Sequence, residues 1–148
     1  MIDATTPSAP PWVVLDTNTV LDWLVFRDSA LVALAEAVTT GAVRWLACER
    51  MRQELGRVLG YPGLARWNPD RERVLASFDA LTCLTAAPPT APSPLRCTDP
   101  DDQVFIDLAL AHGAKWLVSH DRAVLKLARR ARPQGLWIIK PCDWKPSS

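Results

Sequence analysis

Residues 13–23 read VVLDTNTVLDW. A short β-branched run that begins at Trp12 stops at Asp16, and Thr17 and Asn18 follow at once. A continuous apolar run of this length reads as a strand buried on both faces, the kind found in parallel sheets. Helical spacing then takes over from about Asn18 to Phe26. A strand that ends on a carboxylate and passes directly into a helix suits a capped turn, a metal site or a phosphorylation site.

The same alternation recurs outward from this stretch. Helical spacing runs from Ser29 to Thr40 and stops at Gly41; VRWLAC (43–48) reads as a strand, and ERMRQELGRVLGY (49–61) as a helix. In residues 68–81, Asn68 fits the N-cap, Pro69 the first helical position, and acids fill the first turn. AAPPTAPSP (86–94) holds four prolines and predicts an extended loop. In 98–113, Asp99 fits an N-cap, Pro100 the first helical position and Gly113 the stop. KWLVS (115–119) predicts a strand, 121–132 a helix, and LWIIK (136–140) a last strand. Alternating strands and helices predict a three-layer α/β/α sandwich around a mostly parallel sheet of four to five strands. With 148 residues, one domain is expected, spanning 12–142 between short tails at 1–11 and 143–148.

Composition excludes several classes. Hydrophobic residues make up 49% of the chain, enough for a sizeable core and too many for a disordered polypeptide. No apolar run is long enough to span a bilayer, and the N-terminus lacks the basic and apolar regions of a signal peptide. Cys48, Cys83, Cys97 and Cys142 have no zinc-type spacing and read as reduced thiols, so a cytoplasmic location is expected. The net charge is only +1, yet from Lys115 to Lys145 eight Lys and Arg face two Asp, which suits an anionic partner at one end of the molecule.

Right-handed crossovers bring the strand ends at Asp16 and Asp121 to one sheet edge, and the helix start at Asp99, Asp101 and Asp102 joins them. Four or five carboxylates in one cleft repel one another unless something neutralises them. A divalent cation does so, and an all-oxygen set without a Cys/His cluster favours Mg²⁺ or Mn²⁺ over Zn²⁺. Each Asp alone has an ordinary alternative in capping or turn chemistry; their joint placement carries the metal reading. A phosphohydrolase with a nucleophilic strand-end Asp needs a second acid two residues on, and position 18 is Asn. A phospho-acceptor domain would use Lys140 at the end of the last strand, but its acceptor Asp does not sit on the first strand.

VVLDTNTVLDWL, RMRQELGRVLGY and TDPDDQVFIDLALAHGAKWLVSHDRAVLKL together resemble PIN-domain nucleases, in particular the branch of bacterial toxin–antitoxin toxins. The resemblance covers roughly residues 12–142. It implies a metal-dependent endoribonuclease in which Asp16, Glu54, Asp102 and Asp121 are the four acidic positions. Asp16, Asp102 and Asp121 would hold the metal, and Glu54 would ligate more remotely or orient the nucleophile. Asn18 and Ser119 match polar positions that hold carboxylates by hydrogen bonds. Asp101 competes with Asp102 by one residue of register, and Glu49 competes with Glu54. It further implies an RNA substrate, a cognate antitoxin and a tendency to dimerise; a non-toxin RNA-processing nuclease or a catalytically silent interaction module of the same fold is the alternative. Arg122, Lys126, Arg129 and Arg130 fall on one stripe of the expected 121–132 helix and could hold RNA phosphates. Trp12, Trp45, Trp116 and Trp137 are expected in the core, whereas Trp23 or Trp67 could stack on a base. His120 reads as a bystander, Asp22 as surface, and Asp107 as surface or a secondary contact.

Overall fold

The computed structural model describes residues 9–86 and 94–146. Five strands form one sheet: β1 (Trp12–Leu15), β2 (Arg44–Cys48), β3 (Thr82–Thr85), β4 (Trp116–Val118) and β5 (Trp137–Ile139). Their order is β3-β2-β1-β4-β5, and every neighbouring pair is parallel. Between them run α1 (Thr17–Leu24), α2 (Val32–Thr39), α3 (Glu49–Val58), α4 (Arg71–Leu81), α5 (Gln103–Ala111), α6 (Arg122–Leu125) and α7 (Ala128–Ala131). The chain steps from β1 outward to β3, then returns across β1 to β4 and β5. Right-handed crossovers therefore place the helices on opposite faces of the sheet before and after that return. The expected three-layer α/β/α sandwich is the observed one.

The central strands are the most apolar. Val13, Val14, Leu117 and Val118 are fully buried, as a strand covered by helices on both faces requires. Trp45 packs edge-on against Phe78 of α4 and tilted against Trp23 of α1, which joins β2 to both helices. Gly113 adopts φ +63 where α5 ends, a conformation that costs a glycine little.

Several local expectations are corrected. Asn68 does not cap the following helix. It closes the 3₁₀ turn Pro62–Trp67 in a left-handed conformation, and Asp70 is the N-cap of α4, accepting from the Arg73 amide. The strand β3 (TCLT) has no apolar–polar alternation, and pairing along β2 creates it at the sheet edge. The single helix expected over 121–132 is broken at Leu127 into α6 and α7, so Arg122, Lys126, Arg129 and Arg130 do not form one continuous helical stripe. Trp137 is not core: it lies 39% exposed on edge strand β5, with the Arg132 guanidinium over its ring. Trp12 is only partly buried, under the Arg44 guanidinium at 3.7 Å. Of the N-terminal tail, residues 1–8 lie outside the described residues, while the Pro10 and Pro11 carbonyls accept from Arg44. The loop expected over 86–94 also lies largely outside them, at 87–93. Among the described residues no helix is long and apolar enough to cross a membrane.

Candidate metal centre

The register of β1 against β4 pairs Leu15 with Val118, so the next residues, Asp16 and Ser119, emerge side by side at the carboxyl edge of the sheet. Asp16 is buried and is the N-cap of α1: its Oδ1 accepts from the Thr19 amide at 2.8 Å. Its Oδ2 accepts from the Ser119 hydroxyl at 2.5 Å. The same Ser119 oxygen accepts from the Asp121 amide at 3.0 Å, and the Thr19 hydroxyl donates to the Val118 carbonyl. A carboxylate buried this deeply is tolerated because each oxygen has a donor. One network thus fixes the position of both strand-end acids.

The third acidic block arrives on a 3₁₀ turn, Pro100–Asp102, that feeds α5. Asp99 caps that turn by accepting from the Asp101 amide, as the sequence suggests. Gln103 braces the approach: its amide oxygen accepts from the Cys97 amide, and its nitrogen donates to the Leu95 carbonyl and to Asp107. Asp107 is therefore a partner of Gln103. Carboxylate oxygens of Asp99, Asp102 and Asp121 all lie within 4.8 Å of one another. Asp102 makes no capping bond, and its Oδ2 is buried without a hydrogen-bond partner. Burial, followed by the charges of Asp121, Asp99, Asp16 and Asp101, pushes its carboxyl up to about 7. An orphaned oxygen beside two further carboxylates is a site lacking positive charge. The set contains only carboxylates, a donor chemistry that fits a hard divalent cation.

These acids line one cleft of about 610 Å³, together with Thr17, Asn18 and one face of α3. Glu54 lines it and Glu49 does not, which separates the two candidates by position. Both Asp101 and Asp102 line it, but only Asp102 belongs to the close trio. Asn18 faces the cleft without bonding any of the carboxylates; the hydrogen-bonding role falls to Ser119. None of Arg122, Lys126, Arg129 and Arg130 lines the cleft. Neither do Trp23 and Trp67, which line a separate groove with Leu24, Val32 and Arg73.

Sequence reasoning missed three features. Gln103 carried no pattern to distinguish it. Arg50 and Arg57 of α3 face the cleft, a consequence of helical spacing with Glu54 that could have been read. Asp22 is no simple surface residue: its carboxylate is 2.8 Å from His120 Nε2, linking α1 to the loop that carries Asp121. Burial raises the Asp22 carboxyl, partly offset by His120.

No curated protein matches the chain. A family model described as PIN domain matches residues 12–123, which include every acidic block of the cleft. The chain belongs to the PIN-domain family.

Proposed function

We propose that this protein is a Mg²⁺- or Mn²⁺-dependent endoribonuclease and the toxin of a bacterial toxin–antitoxin pair. The carrying observation is the trio Asp99, Asp102 and Asp121, with one buried unpaired oxygen, beside a fixed Asp16. Asp16, Asp102 and Asp121 would hold the ion, with Asp99 in the same group. When bound, such an ion lowers the pKa of a water nucleophile and offsets charge on the phosphorane. The chain's own residues do the rest. Ser119 keeps Asp16 and Asp121 at fixed separation through its two hydrogen bonds. Asp16 is buried at the sheet edge, which holds its carboxylate away from bulk water, while Asp102 is partly buried beside it. Glu54 lines the cleft, and in this reading it orients the attacking water. Attack at phosphorus with the 3′-oxygen leaving gives a 5′-phosphate and a 3′-hydroxyl.

The toxin reading rests on the order and local context of the acidic motifs, and it brings a cognate antitoxin and a homodimer as expected partners. Its test is separate from that of the chemistry. Expression of the chain alone should arrest bacterial growth, and normal growth with well-expressed protein would refute it.

The nuclease test is Asp16→Asn. Asn is as good an N-cap as Asp, and its Oδ1 can keep the Thr19 bond while its amide faces the Ser119 hydroxyl. The variant should fold and lose cleavage of single-stranded RNA. Undiminished cleavage by purified variant, with contaminating nuclease excluded by a mock purification, would sink the assignment.

A further inference from the structure

The face that α3 turns to the cleft carries Arg50, Gln53, Glu54 and Arg57, at the i, i+3, i+4 and i+7 spacing of one helical stripe. Every carboxylate of the trio lines the same cleft. Arg57 is ion-paired with Glu54 through its Nη2 and Glu54 Oε2. Arg50 is exposed and, among the described residues, forms no hydrogen bond or ion pair. The cleft therefore holds two guanidinium groups, one free and one occupied by the very acid whose position suits work on the nucleophile.

We propose that Arg50 and Arg57 form a phosphodiester clamp, and that substrate phosphate takes Arg57 from Glu54, releasing the carboxylate toward the reacting phosphate. This inference rests on the nuclease reading. An exposed pair three residues apart on a helix is weakly held, so a competing anion can displace it. Guanidinium groups grip phosphate oxygens with two parallel hydrogen bonds, which a neighbouring carboxylate on the same helix matches less well. The exchange makes the acid available only when an RNA backbone lies in the cleft. It also supplies the cations that the broken 121–132 segment does not bring to the site.

The test measures binding without metal and without cleavage. A fluorescein-labelled single-stranded RNA is titrated by anisotropy in EDTA at several salt concentrations. Arg57→Gln should weaken binding several-fold and flatten the slope of log affinity against log salt by about 0.7, the loss of one phosphate contact. Arg50→Gln should act similarly. Glu54→Gln should tighten binding several-fold, because the competitor for Arg57 is gone. In the Arg57→Gln background the Glu54 change should alter affinity by less than twofold, since coupling requires both partners. Asp101→Asn, which also removes one negative charge from the cleft, should act equally with and without Arg57.

Wild-type affinity and salt slope in Arg57→Gln would overturn the clamp, as would wild-type binding too weak to titrate. Equal tightening by Glu54→Gln in both backgrounds would overturn the exchange. Melting curves guard against misfolding, with Arg57→Lys as a second variant that keeps the charge and loses the fork. Failure of the nuclease reading would show separately, as full cleavage by Asp16→Asn.

Discussion

Asp102→Asn should stabilise the metal-free protein and remove its response to Mg²⁺. The Asp102 carboxyl is raised from 3.8 to about 7 by burial and by four neighbouring acids. About three units at 1.36 kcal/mol each set an upper bound of about 4 kcal/mol for the cost of ionising it in the folded state. Solvent reaches this partly buried group, and screening reduces the expected effect to about 1–2 kcal/mol. The sign follows from linkage. A carboxyl whose folded pKa lies above its unfolded one favours folding below about 3.8, and that contribution is lost as pH rises through about 7. Asparagine never ionises, and its amide can donate to Asp99 or Asp121. In EDTA at pH 8 the variant should therefore melt about 2–8 °C above wild type. The gap should narrow as pH falls below 7 and vanish near 4. Mg²⁺ at pH 8 should raise the wild-type melting temperature, because an ion that binds only the folded state stabilises it, and should leave the variant nearly unmoved. A variant less stable than wild type at pH 8 in EDTA, or one equally stabilised by Mg²⁺, would refute the reasoning.

Two further outcomes test the frame around the site. Ser119→Ala removes the donor to Asp16 and the acceptor of the Asp121 amide; it should cost about 1–3 kcal/mol in urea denaturation and weaken Mn²⁺ binding measured by electron paramagnetic resonance. Phe78→Ala empties a fully enclosed position against Trp45 and should cost about 3–5 kcal/mol in the same denaturation experiment.

Pattern alone determined the parallel α/β architecture, because buried strands and amphipathic helices differ in period and because crossover handedness leaves few topologies. It also brought Asp16, Asp102 and Asp121 to one edge, since strand ends in a parallel sheet share a side. Edge strand β3 was not legible: it exists because Thr82–Thr85 can pair along β2, and half-exposed TCLT has no periodicity of its own. The break at Leu127 was likewise hidden in a segment whose composition favours an unbroken helix.

Which acids meet, and how closely, was decided only in three dimensions. Asp99 joined the trio and Asp101 did not: Asp99 stands partly buried as the cap of the 3₁₀ turn, and Asp101 lies exposed within it. Glu54 reached the cleft already held by Arg57, whereas Glu49 stayed outside it. The clause VLDTN at 14–18 fixed where a carboxylate would stand. The hydrogen bond from Ser119, a hundred and three residues away in sequence, fixed which way it faces. Local sequence sets backbone period and capping over a few residues, whereas the separation of charges depends on how distant segments pack.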